Sequence, residues 1–131
     1  MSASLLSRPP YRADHVGSLL RPQAVKEARR RTFEDGTMDP AELQEIEDEA
    51  IRDAVRLQEE AGLLAVTDGE IRRSFWHYDF MGALTGFELE EREEGVQFHG
   101  VKLRPVFPTI REKLDFPDDH PMLDHFRFVA S

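Results

Sequence analysis

Between Pro40 and Ala61 apolar residues return every three or four positions. Leu43, Ile46, Ala50, Ala54, Leu57 and Ala61 form one stripe, and Ile51 and Val55 widen it. That spacing predicts an amphipathic helix with Glu45, Glu47, Arg52, Arg56 and Glu59 turned to water. Its start is written in "DPAE": Asp39 suits the N-cap, Pro40 the first helical position, and Glu42 the acidic first turn that the helix dipole favours. Gly62 stands where a left-handed residue ends a helix. The period then changes. Leu63 to Thr67 run without polar alternation, which predicts a strand buried on both faces, as in a parallel sheet. It stops at Asp68, Gly69 and Glu70. Two acids around a glycine at the end of a core strand point to a ligand, because that is where α/β proteins bind them.

The same alternation of elements precedes and follows this helix. Upstream, "RADHVGSLLRP" predicts a short strand over about Ala13 to Val16, a turn at Gly17 and Ser18, and, after Pro22, a basic helix from Gln23 to about Phe33. The order strand, helix, helix, strand is that of a βα unit leading to the next parallel strand, in a barrel or an open doubly wound sheet. Downstream, Phe75, Trp76, Phe80 and Leu84 predict a short helix over about Phe75 to Leu84. "GFELEEREEGVQFHGVKLRPVF" predicts a β-hairpin turning near Glu94 and Gly95. Met122, Leu123, Phe126 and Val129 predict a last helix opened by Pro121. No internal repeat or low-complexity tract interrupts this order.

Composition narrows the partners. The chain has 131 residues, enough for one ordinary domain or a piece of a larger one. A formal charge of −9 disfavours nucleic acid and anionic membranes, both of which need a positive footprint. There is no cysteine, hence no disulfide and no thiolate metal site from this chain alone. No apolar run approaches the length of a membrane span, and a cytoplasmic location is expected.

"YRADHVGSLLRP", "AVRLQEEAGLLAVTDGEIRRSFWHYDFMGALTGF" and "FPDDHPMLDHFRF" together resemble the N-terminal part of the cobalamin-independent methionine synthase family, in its short members that match the catalytic barrel only. The resemblance runs from about Tyr11 to the last residue. It implies an α/β fold, the N-terminal portion of a TIM (β/α)8 barrel. Residues 11–84 would hold the first two βα units, 85–115 a hairpin excursion after the second strand, and 116–131 a helix leading towards a further strand. It also implies a substrate, homocysteine or a similar thiol, or methionine. Val16, Gly17 and Ser18 match the turn that grips the amino-acid part through backbone groups and a hydroxyl, and Glu70 matches the carboxylate that meets the α-ammonium. Methyl transfer in the family depends on zinc held by histidine, glutamate and two cysteines in the later part of the barrel, so this chain supplies part of the amino-acid site and none of the metal site.

Plainer readings stand beside these. Asp68 and Glu70 can be solvated strand-end residues or caps, Ser18 can cap the next segment, and His15 can be an ordinary strand-end histidine. His77 could pair with Asp79 or Glu70, but an aromatic cluster is more often packing. His99, His120 and His125 share no ligand spacing, and the acids from Glu88 to Glu94 fit a solvated edge that discourages strand pairing. Two functions remain open. The chain contributes part of a thiol methyltransferase that a second polypeptide completes, or it is a non-catalytic binding or interaction module that completes its sheet as a homo-oligomer.

Overall fold

The computed structural model describes residues 17–93, 97–102 and 105–131. It is a mixed helix-and-strand chain, consistent with part of an α/β domain, and it divides into two compact units at Arg72 and Arg73. Among the described residues no helix is long and apolar enough to cross a membrane.

The first unit is built on two helices, α1 (Gln23–Phe33) and α2 (Pro40–Glu60). The start of α2 is the predicted one. Asp39 Oδ1 accepts from Ala41 N at 2.8 Å, and the Glu42 carboxylate reaches back to Asp39 N, completing a capping box. Its end is a Schellman motif: Gly62, at φ +81°, donates to Glu59 O, and Leu63 N donates to Gln58 O. Val25, Ala28, Leu43, Ala50, Ile51, Ala54 and Ile71 make the core. On the open side of α1, Arg30 bonds both Glu27 and Asp35, and its hydrogen bond holds the Glu27 carboxyl below the usual carboxylate range.

Three details of this helix pair depart from the apolar pattern. Glu47, expected in water, is 6 % exposed, and Gln58 is 4 % exposed, whereas Leu57 is 62 % exposed. The buried stripe of α2 is Leu43, Glu47, Ala50, Ile51, Ala54 and Gln58, and its two polar members are there to bond. Nor is Leu63 to Thr67 a strand. No described strand lies beside it to supply a ladder. At Thr67 the Gln58 side chain takes that part instead: its amide donates to Thr67 O at 2.8 Å and accepts from Thr67 N at 3.1 Å. Leu64 is accordingly exposed. The strand expected over Ala13 to Val16 lies outside the described residues.

The second unit contains, among the described residues, α3 (Tyr78–Met81), four strands and α4 (Pro121–Ala130). β1 (Thr85–Glu91) pairs antiparallel with β4 (Val106–Asp115), in a register that runs from Phe87 opposite Ile110 to Glu91 opposite Val106. The register shifts at Gly86, whose φ is +78° and where a Cβ would come 2.6 Å from Lys113 O. Between these strands β2 (Gln97–Phe98) and β3 (Val101–Lys102) form a small hairpin turning at His99 and Gly100. The expected single hairpin is thus replaced by two antiparallel pairs, β1 finding its partner at Val106–Asp115; the turn expected near Glu94 and Gly95 lies outside the described residues. The short helix expected over about Phe75 to Leu84 is limited to α3, because Asp79 draws its carboxylate back onto Ser74 N and Phe75 N and closes that stretch as a turn.

Candidate functional site

The site is a turn held against a loop within the first unit. Ile71 N approaches Asp68 O at 3.4 Å, and the two residues between them, Gly69 and Glu70, lie at φ +65° and +54°. Two successive positive φ angles are the pattern of a type I′ turn, which glycine, asparagine and aspartate enter readily and glutamate does not. Glu70 is the one non-glycine residue at positive φ among those described. For an L-residue this costs about 1–2 kcal/mol, so something must hold it.

The backbone bonds of the turn identify the holders. Gly69 N donates to Thr67 Oγ1 at 3.1 Å, and Glu70 N to Asp68 Oδ1 at 2.9 Å. The carbonyls then go in sequence to the loop and helix that precede α2. Gly69 O accepts from Leu19 N at 3.0 Å and Glu70 O from Arg21 Nη2 at 3.0 Å. Ile71 O accepts from Arg21 Nε and Arg72 O from Arg29 Nη1, each at 2.9 Å. A segment with no helix or ladder of its own thus has all four carbonyls, Gly69 to Arg72, and the amides of Gly69, Glu70 and Ile71 met. Packing completes the fixation. Gly69 is buried, a Cβ on it would sit 3.1 Å from Leu19 Cδ1, and Ile71 is driven into the core with 1 % of its surface exposed.

Behind the turn lies a cluster of four charges. Arg29 Nη1 meets Glu47 Oε1 at 2.6 Å, Arg72 Nη1 lies 3.6 Å from Glu47 Oε2, and Arg72 Nη2 bonds Asp48. These side chains are nearly out of water, and the pairing of two cations with two anions makes their burial tolerable. The cluster ties α1, α2 and the turn together.

The expected site residues meet this arrangement at two places. Gly17, at φ +89°, and Ser18 are exposed at the start of the loop, adjacent in sequence to Leu19. Glu70 is half-buried at the turn. The segments carrying Ser18 and Glu70 are thus brought together by the Leu19 and Arg21 bonds. Val16 lies outside the described residues. Asp68 is a backbone acceptor, so its place at the end of "LLAVTD" has a structural cause. Arg21, Arg29 and Gln58 had no periodicity to single them out, and nothing in the hydropathy pattern marks them.

In the second unit, His77 sits among Phe75, Trp76 and Tyr78 with ring centroids 4.2–5.5 Å away, while Asp79 is committed to the backbone of Ser74 and Phe75. This is aromatic packing. His120 is 0 % exposed and caps α4: its Nδ1 accepts from Met122 N at 3.2 Å, and its Nε2 lies 3.0 Å from Phe80 O. Among the described residues no three His, Cys, Asp or Glu side chains converge as metal ligands.

Comparison with known proteins gives a consistent picture. The family model described as the catalytic domain of cobalamin-independent synthase matches residues 13–118. The uncharacterized protein YxjH of Bacillus subtilis (strain 168) is 48 % identical over 120 residues, covering 92 % of this chain and 31 % of the relative. The uncharacterized protein YxjG of the same organism is 44 % identical over 124 residues, covering 95 % of this chain and 32 % of the relative. The chain therefore spans about a third of the length of these curated relatives.

Proposed function

This chain belongs to the cobalamin-independent synthase catalytic-domain family, and on that premise we propose that it contributes the ammonium-binding part of a homocysteine-type site in a methionine-synthase-like thiol methyltransferase. The observation that carries the reading is Glu70 itself. A glutamate is kept half-buried in a left-handed turn whose backbone is otherwise fully committed. Strain of this kind persists where the surroundings over-determine it, and such places cluster at binding and catalytic sites. A carboxylate so held meets a primary ammonium with a charge-assisted hydrogen bond and without first losing side-chain freedom from a mobile loop.

In this reading Val16, Gly17 and Ser18 take the substrate's carboxylate through backbone groups and the Ser18 hydroxyl, opposite Glu70. In this reading the fold is the opening part of a (β/α)8 barrel, in which residues 63–67, not a strand in this chain, would gain a ladder only beside the rest of the sheet; 85–115 would be the excursion and 116–131 the helix after it. The site is active only when the rest of the barrel, with its metal ligands, is supplied by further polypeptide. Leu20 at 94 % and Leu64 at 65 % exposure support this, being large apolar side chains of the first unit that have found no cover.

The test is calorimetric titration of the chain with L-methionine and with 4-(methylthio)butanoate, which lacks only the ammonium. Saturable binding of the amino acid alone, abolished in Glu70→Gln, is expected. No binding, or binding that Glu70→Gln leaves intact, would sink the reading.

A further inference from the structure

We propose that Arg21 is a positioning residue for Glu70, setting the direction of its carboxylate through the backbone. This deepens the reading above and rests on it for the identity of the ligand. Four successive carbonyls, Gly69 to Arg72, each accept from the segment between Leu19 and Arg29, and Arg21 alone supplies the middle two. Both lie just C-terminal to the place where the conformation is unfavourable, the carbonyl of Glu70 directly after the α-carbon at φ +54° and that of Ile71 one residue later. A guanidinium suits the task because its Nε and Nη2 donors form a rigid planar fork and can grip neighbouring acceptors at once; an ammonium is a point donor and cannot hold both in one geometry.

Without that fork the turn keeps its Asp68 and Thr67 acceptors and the bonds to Gly69 O and Arg72 O, but at Glu70 itself only the amide side is still fixed. Glu70 is then free to relax to an ordinary φ, and a residue relaxed at φ carries its side chain in a different direction. The held conformer becomes a minor one. Apparent affinity falls in proportion to the fraction of molecules that still hold it, so a tenfold drop in that fraction weakens binding tenfold. The effect is confined to ligands that use Glu70.

The experiment compares wild-type chain with Arg21→Ala and Arg21→Lys by two measurements. Amide hydrogen exchange at Leu19 and Glu70 is expected to quicken at least tenfold in Arg21→Ala, less in Arg21→Lys, while the amides of Ile51 and Ala54 in α2 keep their protection. The preference for L-methionine over 4-(methylthio)butanoate is expected to fall at least tenfold in Arg21→Ala, with partial recovery in Arg21→Lys; a generally weakened fold would loosen both ligands alike. Unchanged exchange at Glu70 in either variant, or faster exchange with an unchanged preference, overturns the proposal. If wild-type chain binds neither compound, the proposed function fails while the exchange measurement still decides whether Arg21 holds the turn. Should Arg21→Ala not fold, Arg21→Lys carries both measurements.

Discussion

Asp68 Oδ1 accepts the backbone N–H of Glu70 at 2.9 Å, so the first acid of "TDGE" serves the second. What this bond needs is an acceptor, not a charge. Asp68→Asn keeps the acceptor oxygen and is expected to unfold within about 0.5 kcal/mol of wild type, whereas Asp68→Ala leaves the amide unmet and costs about 1 kcal/mol. Urea unfolding of the two variants checks this. A large loss in Asp68→Asn alongside intact secondary structure would show that its charge is used elsewhere.

Glu70 gives a prediction in which stability and binding separate. Glycine enters the left-handed region without penalty and alanine does not, so Glu70→Gly is expected to be about 1 kcal/mol more stable than Glu70→Ala. Both remove the carboxylate, and both should abolish L-methionine binding. Thermal melts together with calorimetry distinguish this from a glutamate at an ordinary negative φ, for which alanine would be the more stable replacement.

Glu47 holds the two cations behind the turn, Arg29 and Arg72. Glu47→Gln leaves those guanidiniums with Asp48 as their remaining carboxylate in the cluster and is expected to cost about 3 kcal/mol, the scale for breaking a buried pair. Because the cluster is shielded from water, the loss should change little between low and high salt. Denaturant titration at two ionic strengths measures it; a loss that vanishes in salt would place the cluster at the surface.

Glu27 behaves oppositely, being exposed beside Arg30. Its hydrogen bond to Arg30 favours the ionised form and lowers its titration below the ordinary 4.5, so the stabilisation is present above that value and is lost as pH falls through the depressed one. Carboxyl NMR of Glu27 should show the midpoint returning upward in Arg30→Gln. No movement would mean that the pair is not formed in solution.

These expectations show which parts of the molecule were open to reading. The helix α2 was legible from Asp39 to Gly62 because its capping box, proline and terminal glycine are local signals that no distant contact overrides. Glu47 and Gln58 were not, since a hydropathy stripe has no means of showing a polar side chain that is buried in order to bond. Leu63 to Thr67 had the composition of a strand, but strands exist only with neighbours, and composition does not supply one. Glu70 was singled out through its resemblance to a family motif, while its left-handed backbone and the Arg21 hydrogen bond to its carbonyl needed coordinates.

His120 shows the same lesson in the second unit, where scattered histidines suggested no role. A backbone N–H can only donate and a carbonyl can only accept, so Met122 N at Nδ1 and Phe80 O at Nε2 assign the neutral tautomer with its proton on Nε2. The ring also stacks on Phe116 at 4.8 Å with an interplanar angle of 7°. It therefore caps α4, links it to α3 and fills the space between. Asparagine replaces only the first of these. His120→Asn should retain the cap and lose the Phe80 bond and the stacking, while His120→Ala loses all three and opens a cavity, costing about 2–4 kcal/mol. Wild type, Asn and Ala are expected to unfold in that order of decreasing stability, with the helical signal of α4 lost first. Equal stability of the asparagine and alanine variants would mean that the cap contributes nothing and that packing against Phe80 and Phe116 is the whole of His120's part.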